Sequence, residues 1–464
     1  MTIALKSAGA APNFWVRREW PTVRLWRVAK IRTEKNRPDF PLLSIFLGRG
    51  VITYSEGGGQ VHKPGQDLSI YQVVRKGDFV LNNQQAWRGS VGVSKHHGII
   101  SPAYIVLALP EALNPRFADY LFQSRVMVDQ WVTSSKGVGD IQRDVHMPWL
   151  KNSKVPLPPR EEQDAIVRFL DHVNRRIERY IRAKKKLIAL LNEQKQVIIH
   201  RAVTRGLDPN VRLKSSGVEW LSEVPEHWEV MPIKRALISM VYGISDSATD
   251  EGKIPLLTMG HIQDGNVNVP TGGGVASVDP TLLVERNDLL FNRTNSAELV
   301  GKVGLFKGAE TAVTFASYLV RMRPRQDNDA EFLNLLLNDR SVLSAARREA
   351  IPSLHQANLN PTRYGRLHIA PKLSEQKAIV GFVKDATTQL NTAIARYESE
   401  ISLVREYSTR LVTDVVTGKL DVREAAAKLP EEPKEEDIEP VEDSADDQAD
   451  ANEFEEVAGS GTIG

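Results

Sequence analysis

"PREEQDAIVRFLD", Pro159 to Asp171, has a near-copy later in the chain: "KLSEQKAIVGFVK", Lys372 to Lys384, begins 213 residues further on. Held at that offset, Pro158–Asp208 aligns with Pro371–Asp421 without a gap. Glu162/Glu375, Gln163/Gln376, Ile166/Ile379, Phe169/Phe382, Ile188/Ile401, Thr204/Thr417 and Asp208/Asp421 pair as identities. A fixed-period repeat is read before anything else, because it decides the architecture. Upstream the repeat is looser. "RKGDFVLN" (Arg75 to Asn82) answers "ERNDLLFN" (Glu285 to Asn292), and "SPAYIV" (Ser101 to Val106) answers "FASYLV" (Phe315 to Val320). The chain is one unit written twice: a globular piece, then a helical piece.

The helical pieces carry single apolar stripes. Ile166, Leu170, Val173, Ile177, Ile181, Ile188, Leu191 and Ile198 recur at spacings of three, four or seven. So do Ile379, Val383, Ala386, Leu390, Ile394, Ile401, Val404 and Leu411. That pattern predicts an amphipathic helix with a coiled-coil seam. Pro159 and Pro371 precede the helices, Ser374 stands at a capping position, and Gly206 and Gly418 mark the exits. A helix this long with one stripe is not stable alone. Its duplicate is the nearest partner, so an antiparallel pair about a pseudo-two-fold axis is expected, unless each helix packs on its own domain.

The globular pieces mix short β-rich runs ("SIYQVV", "DFVLN", "YIVLAL", "SYLVRM") with one amphipathic helical segment each, near "FADYLFQSR" and "FLNLLLNDR". The expected class is α+β: two similar mixed α/β domains, each followed by a long helix. The boundaries read as domain 1 at 13–157, helix 1 at 158–205, a linker at 206–227, domain 2 at 228–370, helix 2 at 371–421 and a tail at 422–464. The tail is acidic and poor in large apolar residues, a composition that favours disorder.

The 464 residues hold 60 Lys and Arg against 58 Asp and Glu, a net charge of +2. From Pro430 onward there are fourteen acidic residues and one lysine, so that segment carries −13 and the rest +15. A body that basic suits a polyanion. The absence of cysteine removes disulfides, thiolate catalysis and cysteine-bound zinc, and fits a reducing cytoplasm. No apolar run reaches membrane-spanning length, and the N-terminus lacks a secretory pattern. There is no GxxxxGK[ST] loop, no HExxH, and no Asn-Pro-Pro-aromatic motif of an amino-methylating enzyme. Asp78 and Asp288 read as turn residues before a strand. Catalytic and metal residues are therefore expected to be none.

"PLPPREEQDAIVRFLD" and "APKLSEQKAIVGFV", the exits "AVTRGLD" and "VVTGKLD", and the linker "GLDPNVRLKSSGVEWLSEVPEHW" together resemble the specificity subunit of type I restriction–modification systems. "NNQQAWRGSVGVS" with "GIISPAY" resembles one type of target-recognition domain, and "LLFNRTNSAELVGKVG" another. The likeness covers roughly residues 13–421. It departs in the first half, which lacks "SGVEWLSEVPEHW" and offers only Trp20-Pro21 near the place of Trp228; the acidic tail is also outside the pattern.

The resemblance implies a non-catalytic, cytoplasmic DNA-binding subunit. Each domain would read one half of a bipartite, asymmetric site on double-stranded DNA. The helices would set the gap and dock two methyltransferase subunits. S-adenosylmethionine, ATP and Mg would sit on those and on the restriction/translocase subunits, with no cofactor on this chain. The residues suited to base edges and phosphates lie at matching points: Asn83, Gln84, Gln85, Trp87 and Arg88 in the first half, Asn292, Arg293, Thr294, Asn295 and Lys302 in the second. Polar side chains are also what any surface loop shows. Lys136, Arg143, His355 and Gln356 rank second, and the aligned Tyr104 and Tyr318 are expected to be buried beside the sheet. The competing reading is a coiled-coil scaffold that binds proteins.

Overall fold

The computed structural model describes residues 20–57, 64–137, 143–353, 356–370 and 374–430. His355, Pro371, positions 13–19 and the tail from 431 onward fall outside them. The chain divides after Ala183 and after Ser399 into two compact units. The second is contiguous, Lys184–Ser399; the first joins the N-terminal part of the chain to the part from Glu400 onward.

In the first unit a four-stranded sheet runs in the order Lys30–Ile31, Tyr104–Ala108, Phe79–Asn82, Val91–Val93, all antiparallel. In the second, Leu237–Tyr242, Leu319–Pro324, Leu289–Asn292 and Val303–Leu305 take the same places with the same directions. A further hairpin, Ile262–Gln263 with Asn266–Val267, extends the second sheet. Two short helices cover one face in each unit: Pro115–Gln123 and Arg125–Thr133, then Ala330–Leu337 and Arg340–Arg348. Helix N-caps recur at equivalent points, where the Asn114 side chain accepts from Arg116 and Phe117 and the Asp329 side chain accepts from Phe332.

The cores are apolar and aromatic. Phe79, Phe122 and Trp131 form one cluster, with Phe79 and Phe122 ring centroids 4.2 Å apart and the Trp131 indole donating to the Phe122 carbonyl at 3.0 Å. In the second unit Phe291 stacks on Tyr364 at 4.2 Å.

Asp78 and Asp288 do more than make turns. Each accepts the backbone N–H three residues earlier, from Arg75 and Glu285. Each also receives a two-pronged guanidinium, Arg32 at 2.6 and 2.8 Å and Arg323 at 2.8 Å twice. Hydrogen bonding to these carboxylates holds both guanidinium pKa values above their ordinary range.

The long helices span Arg160–Arg205 and Gln376–Val416. Within the first unit Ser408 Oγ donates to Asn174 (3.3 Å) and Tyr180 to Glu400 (2.9 Å), so residue numbers on one helix fall as those on the other rise. Within the second unit Lys184 Nζ lies 4.1 Å from the Tyr397 ring centroid. Residues 422–430, grouped by composition with the tail, begin differently. A short helix, Arg423–Ala427, buries Val422 and Ala426, an i, i+4 pair, and Val422 joins the first unit's core. Arg168 Nη2 donates to the carbonyls of Leu429 (2.6 Å) and Pro430 (3.2 Å).

Candidate nucleic-acid interface

In both units the central strand ends at an asparagine, and the loop after it is tied to a hairpin that is separated from the long helix by one short helix and one short strand. In the first unit that hairpin is Ser135–Lys136 with Asp144–Val145, in the second Ile351–Ser353 with Gln356–Asn358. Val145 donates its N–H to the Asn83 carbonyl, and the Asn83 side-chain amide donates to Asp144 at 3.3 Å. In the second unit Thr294–Asn295 pairs with Asn358 and Ala357 as a strand, and Leu359 donates to the Arg293 carbonyl.

The first loop is open. Asn82 Oδ1 accepts from the Gln84 N–H and shapes the turn. Gln84 and Gln85 are exposed, while Ala86 is fully buried and pins the loop to the core. Gly89 takes φ +95 with the Val128 side chain 3.5 Å from the place of a Cβ, so the turn needs a glycine there. Trp87 is oriented by its indole N–H on the Gln84 carbonyl, with the guanidinium carbons of Arg88 and Arg143 at 4.7 and 5.2 Å from its ring. Two cations against one indole are cation–π pairs in a partly exposed site. Nearby on the same hairpin, Lys136 lies 5.5 Å from the exposed Trp149 ring.

The second loop is closed. Asn292 is 2% exposed, its Oδ1 buried without a hydrogen-bond partner among the described residues. Thr294 is also buried, donating to Asn358 Oδ1 at 2.8 Å. Asn295 accepts from the Ser296 N–H, and Arg347 donates to the carbonyls of Val300 and Glu298, so the loop backbone is held from beneath. Lys302 is half-buried. Arg293 donates to the Ser317 carbonyl at 3.3 Å, and its guanidinium carbon lies 5.3 Å from the Tyr242 ring.

Tyr318 corrects an expectation. It is 44% exposed, because it sits in the tight turn before the strand Leu319–Pro324, where its carbonyl accepts the Arg293 N–H and its side chain is left outside. Tyr104 is half-buried, its hydroxyl 3.4 Å from Ser44. Tyr242, 48% exposed, had no signal of its own in the sequence; it closes the run "LISMVY" and reaches Arg293 only through strand pairing. Among the described residues no group of His, Cys, Asp or Glu could hold a metal ion, and no helix is long and apolar enough to cross a membrane.

No family model matches the chain. The type I restriction enzyme MjaVIII specificity subunit of Methanocaldococcus jannaschii is 24% identical over 362 residues, covering 76% of this chain and 81% of that protein. This chain is a homologue of type I restriction enzyme specificity subunits. The putative MjaX specificity subunit of the same organism is 25% identical over 179 residues, 37% of this chain and 42% of that one. A chain from a structure described as the basis of complex assembly and conformational transition of the type I R-M system covers 86% of this chain and 98% of its own length. Its TM-score is 0.57 at 17% identity, a likeness of fold. The α+β architecture of this chain is thus shared with that chain.

Proposed function

We propose that this chain is the sequence-reading subunit of a restriction–modification complex, in which each domain reads one half of a two-part DNA site and the chain performs no chemistry itself. The observation that carries the reading is the loop–hairpin pairing at the same end of the same sheet in both units, built on equivalent frames but faced with different side chains. A frame that is kept while its face changes is what two unlike half-sites require. In the first domain Gln84, Gln85, Trp87, Arg88 and Arg143 form the face. In the second, Arg293, Asn295 and Lys302 with Tyr242 and Tyr318 form it, while Asn292 and Thr294 hold the loop from within.

The long helices set the gap and offer docking surfaces for two methyltransferase subunits. Leu190 and Leu403, equivalent at the 213-residue offset, are 52% and 61% exposed, as befits matching apolar contacts awaiting matching partners. S-adenosylmethionine belongs to those subunits, and ATP and Mg to translocating ones.

The test is the salt dependence of binding to double-stranded DNA, together with methylation mapping. Phosphate contacts give a log–log slope that grows with their number. Methylation of a two-part site should require both this chain and a methyltransferase subunit. A chain with no DNA affinity at low salt would be a protein scaffold instead.

A further inference from the structure

The duplicated "EQ" at the start of each long helix sits in two joints of nearly the same build, with the glutamine of each buried. Gln163 is fully buried and uses its whole amide: Oε1 accepts the Asn114 N–H at 2.7 Å, and Nε2 donates to the carbonyls of Ala112 (3.0 Å) and Pro158 (2.8 Å). Gln376 is 1% exposed; its Oε1 accepts the Asp329 N–H and its Nε2 donates to Asn328 Oδ1 at 3.0 Å. Asn114 and Asp329 are the N-caps of equivalent short helices in the two domains. The same amide therefore ties the first turn of each long helix to the same point of its recognition domain.

The preceding glutamate makes the other half of the joint. Glu162 accepts the Trp20 indole N–H at 3.0 Å, and Arg423 comes within 3.7 Å of its other oxygen. Glu375 is bonded to the Trp228 indole at 3.3 Å and to His227 at 2.7 Å. Each indole then lies against the exit glycine of the opposite long helix. A Cβ on Gly418 would stand 3.0 Å from the Trp20 ring, and one on Gly206 would stand 3.3 Å from Trp228. Both glycines take left-handed backbone, φ +71 and +73, so the exits turn and admit the rings at one position. Trp20 is thus the counterpart of Trp228, although the first half lacks the stretch "SGVEWLSEVPEHW".

We propose that these Glu–Gln pairs are positioning residues: each fixes the angle of a recognition domain on its long helix, and together they fix how many base pairs are tolerated between the half-sites. The inference rests on the DNA-reading function above. A buried amide bonded through both its oxygen and its nitrogen holds one geometry, because any tilt leaves a buried polar group unpaired. The joints touch none of the loop residues, so loosening them should change the gap and leave the bases read unchanged.

The test uses the full chain with its methyltransferase subunits and a pool of random-sequence duplexes, sequenced after selection for binding. Wild type should select two half-sites at one gap. Gln163→Ala and Gln376→Ala should select the same half-sites over several gaps, the share at the wild-type gap falling roughly two- to twelve-fold for the loss of one net hydrogen bond. Trp20→Phe and Trp228→Phe keep the ring on the glycine and remove only the N–H. They should broaden the gap less, and they decide the matter if the Gln variants fail to fold. A single wild-type gap in folded variants, or an equal loss at every gap, would overturn the joint. Failure of wild type to select any two-part site would instead bring down the functional reading and the joint with it.

Discussion

The two recognition loops leave equivalent sheets at aligned asparagines and then differ. Asn82 is half-exposed and accepts its turn's N–H; Asn292 is buried at the strand end. After Asn82 the chain makes an open turn that presents Trp87 with two arginines against its ring. After Asn292 it re-enters a strand pair through Thr294, and its exposed aromatic groups, Tyr242 and Tyr318, come from neighbouring strands and turns. Equivalence in this molecule therefore belongs to the frame. A residue's place in an alignment fixes its backbone position but not whether its side chain faces water.

The largest effects are expected in the frame. Asp78→Ala and Asp288→Ala each remove both bonds of a two-pronged pair, leaving Arg32 only Glu34 at 4.0 Å and Arg323 only Glu285 at 3.0 Å, and each should cost roughly 3 kcal/mol in urea or thermal unfolding. A large cost in one unit and none in the other would show that the two sheets are not equivalent in energy.

The gap between half-sites should respond to helix length. Seven residues inserted near Lys185, with seven more near Glu398, keep the apolar seam in register. They lengthen each helix by about 10.5 Å. At ~3.4 Å per base pair the selected gap should widen by about one to three pairs, with both half-sites unchanged. Methylation mapping reads this; an unchanged gap in an active variant would put the spacing elsewhere.

The loops come third. Trp87→Ala should weaken only the first half-site and Arg293→Ala only the second, each by about 1–3 kcal/mol, in competition binding with duplexes altered in one half. An effect that crosses to the other half would end the independence of the readers.

The smallest effect belongs to a pair without a counterpart. His200 Nδ1 lies 2.9 Å from Asp339, a buried N-cap in the second unit. Hydrogen bonding to Asp339 raises the His200 pKa. Burial opposes ionisation of Asp339, but His200 and the Ser341 hydroxyl outweigh it and hold the carboxyl below its usual range. The histidine's contribution is full below about pH 6.5 and is lost as pH rises through its raised value. The aspartate's is present above about pH 3.9 and is lost as pH falls through its lowered one. His200→Gln should therefore destabilise the second unit most between about pH 4 and 6.5 and least in alkali. The loss should stay below about 1 kcal/mol, since the imidazole is half-exposed and screened. A pH-independent loss in urea titrations would mean that packing, not charge, is what the histidine supplies.

The stripes, the exit glycines and the repeat were legible because helix period and glycine conformation are local properties. The joints were not. Trp20 has no repeated neighbours, and its role appears only when Glu162 and Gly418, far apart in sequence, meet on it. Nor was the fate of Asn292, Thr294 and Tyr318, because a side chain's face depends on strand register and on one turn, and neither leaves a mark in composition. The reading of residues 422–430 as tail failed for a related reason: alanines near charged residues look solvated until a surface is found for every fourth one.

That Trp20 rests on Gly418 also has a consequence in time. A ribosome making this chain delivers Lys184–Ser399 as one uninterrupted stretch, able to close while synthesis continues. The portion made first must wait for the portion from Glu400 onward before its own tryptophan has a floor. The nascent N-terminal domain is therefore the last to be finished. A premature stop near residue 400 would damage the oldest part of the protein and spare the younger.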